Sequence, residues 1–246
     1  MKRKEFGVAF KCKIKNYILK YVKGHLTIEN YEQLLGFIDN RELKEEIIKE
    51  LYSIRYIYKV LEGLSVKDEL LIMEAKIQIL SYSSIYEAIV DYLLFEKFLD
   101  TDEVKNLREK ITYKHISLPK YCDRCKKHDD KDILFMYKKL EDKEQREIKF
   151  KNKLNSLFNI IDFNIYKVDE KGNKILKISS DSLKKELEEF YDYRNMIHIY
   201  KKLRDNQKGY KEYTLELAKN AFWRLKPFLE KINEYFERNE NDIKLR

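Results

Sequence analysis

The chain has 246 residues with a formal net charge of +8, 38% of them charged and 43% hydrophobic, and only six glycines and two prolines. That length and apolar content bury a core and exclude an intrinsically disordered chain. So few glycines and prolines leave little material for tight turns, barrels or glycine-rich phosphate loops, and the predicted fold class is all-α, a mainly helical bundle.

The N-terminus, Met1-Lys2-Arg3-Lys4-Glu5, has no apolar signal core behind it, and no later stretch approaches the roughly 18 uninterrupted apolar residues of a membrane span. A cytoplasmic protein with no membrane partner is expected. Cys12, Cys122 and Cys125 form an odd set, which suits reduced thiols better than a disulfide framework. The excess of cations favours polyanionic partners, although enrichment in Lys, Ile, Asn and Tyr is also what an AT-rich coding sequence produces.

Apolar residues recur at three- and four-residue steps over Ile14 to Val22, Ile28 to Ile38 and Glu42 to Leu61, predicting a helical N-terminal layer across residues 1–64. Gly24, Gly36 and Gly63 fall near its breaks. From Val66 to Leu99 the apolar positions, Leu70, Leu71, Met73, Ile77, Leu80, Ile85, Ile89, Leu93 and Phe98, cover a wide surface, so this helix should be central and packed on more than one side. Ser81-Tyr82-Ser83-Ser84 is a candidate bend, because hydroxyls compete for backbone carbonyls. Glu87 lies among Ile85, Tyr86, Ala88, Ile89 and Val90, and a carboxylate there needs a partner. Either it reaches water or a nearby lysine from the edge, or it faces the helix of Arg194 and His198 and orients one of them, which makes it a further catalytic candidate.

Residues 101–140 turn polar and read as a loop-rich insertion. His115, Cys122, Cys125 and His128 supply four soft or borderline ligands, enough for a closed tetrahedral structural zinc site, with reduced surface cysteines as the alternative reading. A charged helical stretch follows from Asp142 to Ile161. Near residues 164–178 two segments alternate in polarity around Lys171-Gly172-Asn173, predicting one small β-hairpin. Ser179-Ser180-Asp181 then offers N-cap chemistry for a helix through Leu183, Leu187, Phe190 and Tyr191.

That helix leads into Arg194-Asn195-Met196-Ile197-His198. On a helix, residues four apart share a face, so Arg194 and His198 should project together. The pairing suits a phosphodiester: guanidinium binds phosphate oxygens through a planar fork, and imidazole exchanges a proton near neutral pH. A helix cap or surface pair is the plainer reading, and Arg124 and His128 share the same spacing. A last helix runs from about Tyr213 to Phe236 with Pro227 as a predicted kink. No repeat divides the chain, so residues 1–246 are read as one domain.

An Arg-Asn followed shortly by His, late in a helical domain behind a long apolar helix, resembles the HEPN superfamily. The resemblance spans residues 66–236, but its specific part is Arg194, Asn195 and His198. Family members are compact helical bundles, many of them RNases of toxin-antitoxin and phage-defence systems. In that family four to six residues separate the Arg from the His; here there are three. The resemblance implies metal-independent cleavage of RNA, with no cofactor required, by attack of a ribose 2′-hydroxyl on the adjacent phosphate. It implies His198 as acid or base, Arg194 on the scissile phosphate and Asn195 as a hydrogen-bonding partner. It also implies a homodimer that joins two motifs, and an antitoxin or defence partner protein. After the motif, Tyr200, Lys201, Lys202, Arg204, Lys208, Tyr210 and Lys211 mix cations with aromatic rings, as an RNA-facing surface needs, although a basic loop is also simply well solvated. The competing readings are a non-catalytic dimerisation or RNA- or nucleotide-binding module of the same fold, a helical scaffold with a zinc-binding insertion, and a nuclease using carboxylate-held metal.

Overall fold

The computed structural model describes residues 28–115, 136–168, 174–196 and 213–244, together with Asn16 and Lys20. Seven helices and two short antiparallel ladders occupy them: α1 (Ile28–Leu34), α2 (Arg41–Gly63), α3 (Asp68–Tyr92), α4 (Asp102–Arg108), β1 (Glu109–His115), β2 (Met136–Asp142), α5 (Phe150–Ile160), β3 (Ile165–Val168), β4 (Lys174–Ile178), α6 (Ser180–Asn195) and α7 (Leu215–Lys244). The predicted all-α bundle with a small hairpin is what forms. None of these helices is long and apolar enough to cross a membrane.

The central position expected of the apolar stretch after Val66 belongs to α3, which packs on α2, α5, α6 and α7. Its buried side chains include Ala75, Ile79, Tyr82, Ile85, Tyr86, Ile89 and Val90. At about 100° per residue these fall within one arc of about 140°, a broad apolar face that the four neighbouring helices cover between them. Tyr86 shows how the centre is built: its ring lies edge-on to Phe228 at 5.4 Å and alongside Phe190 at 6.3 Å. Its hydroxyl donates to the Ala221 carbonyl at 2.8 Å, so the buried polar atom keeps a partner. Burying a side chain of that size contributes about 1.5–3 kcal/mol, which makes this cluster a main source of cohesion.

The serine run does not break α3. Ser83 and Ser84 bond back to the carbonyls of Ile79 and Leu80 at 2.6 and 3.0 Å, so the hydroxyls are satisfied inside the helix. The helix instead leaves its α geometry at Leu93–Lys97, one π turn. Pro227 likewise lies inside a continuous α7.

The segment expected to be irregular holds more regular structure than its polarity suggests. It contains α4 and the β1–β2 ladder, registered from Glu109 opposite Asp142 to His115 opposite Met136. Twenty residues separate these strands, so no short turn signal announces the pairing. The β3–β4 hairpin falls where alternation placed it, Ile165 opposite Ile178 through Val168 opposite Lys174.

Candidate functional site

α6 begins with the capping chemistry its sequence offers: Ser179 Oγ accepts the Ser182 amide at 3.2 Å. It buries Leu183, Leu187, Phe190 and Tyr193 and ends at Asn195. The Met196 amide closes the last turn on the carbonyls of Asp192 and Tyr193, each at 3.2 Å. The helix carrying Arg194 therefore stops inside the pentapeptide. The expectation that one continuous helix presents Arg194 and His198 on a shared face is corrected to this extent: α6 carries Arg194 and Asn195, and Met196 is a turn residue. Ile197 and His198 lie outside the described residues.

Two carbonyls near that end fix α6 to its neighbours. The buried Ser83 hydroxyl lies 2.8 Å from the Phe190 carbonyl, tying α6 to α3. The Tyr213 hydroxyl donates to the Tyr193 carbonyl at 2.8 Å from just before α7. Arg194 is thus held on a braced scaffold rather than on a free loop.

Its guanidinium donates through NH1 to Glu87 Oε2 on α3, an ion pair across the helix interface. The side chains are 31% and 23% exposed, so the pair is screened only in part and one edge of it meets solvent. A cation in the last turn of a helix is also favoured by the helix dipole. Beneath it, the Arg194 Cζ stands 5.5 Å from the Tyr191 ring centroid, a cation–π contact. Tyr191 is in turn stacked on Phe150 of α5 at 4.3 Å. Burial, and then the negative charge of Glu87, push the Tyr191 phenol above the usual tyrosine range, while Arg194 and a hydrogen bond with Asn195 pull the other way. The phenol is therefore neutral at physiological pH and retains a proton to donate.

One turn along α3, Asp91 Oδ1 meets Lys153 Nζ of α5 at 2.7 Å, with the lysine only 5% exposed. Glu87, Asp91, Lys153 and Tyr191, with Glu144 and Arg146, line an open depression of about 710 Å³. A second hollow of about 680 Å³ lies between the hairpin and the later half of α7. Three of its charges are engaged with one another, Lys231 with Glu234 at 2.7 Å and Arg238 with Glu234 at 3.4 Å, and it gathers none of the predicted site residues.

Of the sequence candidates, Glu87, Arg194 and Asn195 come together. His198, Tyr200, Lys201, Lys202, Arg204, Lys208, Tyr210 and Lys211 lie outside the described residues, as do Cys122, Cys125 and His128. His115 is the last residue of β1. Among the described residues, no three His, Cys, Asp or Glu side chains are grouped to hold a metal. Sequence reasoning missed Asp91, Lys153 and Tyr191. Asp91 had a signal, four residues after Glu87 on the same helix face. Lys153 looked like one more solvated lysine, and Tyr191 like part of an apolar stripe.

Chemically, the arrangement presents a positioned guanidinium with one N–H group engaged and others available, since this side chain carries five N–H donors. A neutral phenol stands beside it. A guanidinium and a phenol so placed can bind an oxyanion, the first by charge and a planar fork of donors and the second by one hydroxyl. In comparisons with protein families, with curated proteins and with solved structures, the chain matches none.

Proposed function

We propose that the protein is a metal-independent endoribonuclease of HEPN type, acting as a prokaryotic toxin or phage-defence effector. The observation that carries the reading is the Arg194–Glu87 pair: a motif arginine locked in direction by a carboxylate on the central helix, yet open to solvent along one edge. Transition-state charge is best met by donors that need no reorganisation when the reaction occurs. Arg194 would bind the scissile phosphate and neutralise the charge that builds on its oxygens. His198 would take the proton of the attacking 2′-hydroxyl. The phosphorus–5′-oxygen bond then breaks, leaving a 2′,3′-cyclic phosphate and a 5′-hydroxyl.

The departing 5′-oxygen needs a proton of its own, and one imidazole serves both ends of an in-line displacement poorly. A homodimer would supply a second motif, by a two-fold interface that is self-complementary. RNA is the proposed substrate, with an antitoxin or defence partner restraining the enzyme.

The test is product chemistry in chelator. Purified protein incubated with RNA in EDTA should yield 2′,3′-cyclic phosphate ends, and His198→Ala should abolish them while the protein stays folded. Cleavage that requires Mg²⁺, or that survives His198→Ala, contradicts the mechanism. The same ion pair also favours a second reading, a non-catalytic RNA-binding or dimerisation module in which Arg194 braces α6 on α3. There, Arg194→Ala would lower stability and no variant would alter RNA integrity.

A further inference from the structure

The one tryptophan of the chain is in an unexpected place. Trp223 is 65% exposed, while α7 buries Ala218, Ala221, Leu225, Phe228, Leu229 and Ile232 on its other side. At about 100° per residue, Trp223 points about 160° away from Leu225, so it stands at the solvent pole of the helix. Large indoles are seldom left in water without a use.

Its charged neighbours within one turn on that pole are cations. Lys219, four residues before, and Lys226, three after, are both exposed. Lys219 makes no ion pair among the described residues, and Lys226 meets Glu230 at 3.6 Å in a loose pair exposed on both sides. Exposed Glu216 and the Glu230 carboxylate bracket the pole and limit it to about two turns. The backbone adds an acceptor: Pro227 has no N–H to give to the Trp223 carbonyl four residues earlier.

We propose that this pole of α7 is a contact for single-stranded nucleic acid, in which the Trp223 indole stacks on one base and Lys219 and Lys226 meet the phosphates on either side. Stacking needs an exposed aromatic face and the backbone needs flanking positive charge, and α7 supplies both within two turns. A protein partner is disfavoured here, because the apolar area on the pole is one ring among charged side chains. The inference rests on RNA being the ligand, but not on cleavage at Arg194.

The experiment uses the full chain and a single-stranded 2′-O-methyl oligouridine, which lacks the attacking hydroxyl and so reports binding without turnover. The sole tryptophan makes intrinsic fluorescence a reporter of this one position. Titration should quench it saturably, with affinity falling as salt rises. By fluorescence anisotropy of a labelled oligonucleotide, Trp223→Ala should bind about 5- to 150-fold more weakly and Trp223→Phe less so, as the cost of losing one base stack implies. Lys219→Gln and Lys226→Gln should each reduce the slope of log affinity against log salt by about 0.7. Binding that leaves the fluorescence unchanged and is unaffected by Trp223→Ala overturns the inference. So does a fluorescence change that follows protein concentration without oligonucleotide, which would assign the pole to a second copy of the chain. If Trp223→Ala binds normally while Arg194→Ala abolishes cleavage, this inference fails and the nuclease reading stands. Quenching with cleavage indifferent to Arg194 and His198 gives the reverse.

Discussion

Arg194 owes its direction to Glu87, and that dependence has measurable consequences. Glu87→Gln removes the charge but keeps an acceptor, so unfolding free energy should fall by no more than about 1 kcal/mol, as for a partly exposed pair. Cleavage should fall further, about 10- to 100-fold, because a guanidinium that loses its brace loses its aim. A rise in activity would instead mean that Glu87 holds Arg194 away from substrate. A second carboxylate on α3 makes a pH prediction. Glu74 is 2% exposed, and burial first, then the charge of Glu62, raise its pKa above the ordinary carboxylate value of 4.5. A folded-state pKa raised in this way gives stability that is complete below 4.5 and lost as pH rises through the folded value. Glu74→Gln, which keeps an oxygen acceptor for Gln78, should therefore be more stable than the wild type at pH 7, with the advantage vanishing below pH 4.5 in urea melts. Much of this scale was legible: an isolated carboxylate among Ile85, Ala88 and Val90 announces that it needs a partner. That the partner would be Arg194, 107 residues away, depends on how α3 and α6 cross, which no local pattern states.

Between elements, buried charge separates strong ties from decorative ones. Lys153 of α5 is nearly enclosed and meets Asp91 of α3, so Asp91→Ala strands a buried ammonium and should cost about 3 kcal/mol in chemical denaturation. The exposed Arg41–Glu45 pair on α2 is the control: Arg41→Ala should shift stability by less than about 0.5 kcal/mol. The turn from α2 to α3 carries a removable strain. Ser65 sits at φ 51°, where a side chain crowds the backbone, so Ser65→Gly should gain about 0.5–1 kcal/mol, read as a raised melting temperature. Elements with local signals were readable, such as the hairpin around Lys171-Gly172-Asn173 and the Ser179 cap of α6. The β1–β2 ladder was not, because its register is set between strands twenty residues apart. The end of α6 at Asn195 was also hidden, since helix-favouring residues continue past it.

At the scale of the whole molecule, the bundle is a frame that holds a few polar groups at its helix junctions. Apolar periodicity made the frame legible in the sequence, α3 at its centre above all, because burying a wide apolar surface admits few arrangements. The candidate site was legible as residue types but not as a cluster, since Glu87, Tyr191 and Arg194 meet only through helix packing. The excess positive charge of the chain predicts binding to RNA that weakens steeply with salt. The most direct test of the account is single-turnover cleavage of RNA in EDTA by the wild type and by Arg194→Ala, with circular dichroism confirming that both are folded. The wild type should cleave and the variant should lose about 100- to 1,000-fold in rate, the usual cost of removing one preorganised donor. Equal rates, or no cleavage by either, would contradict it.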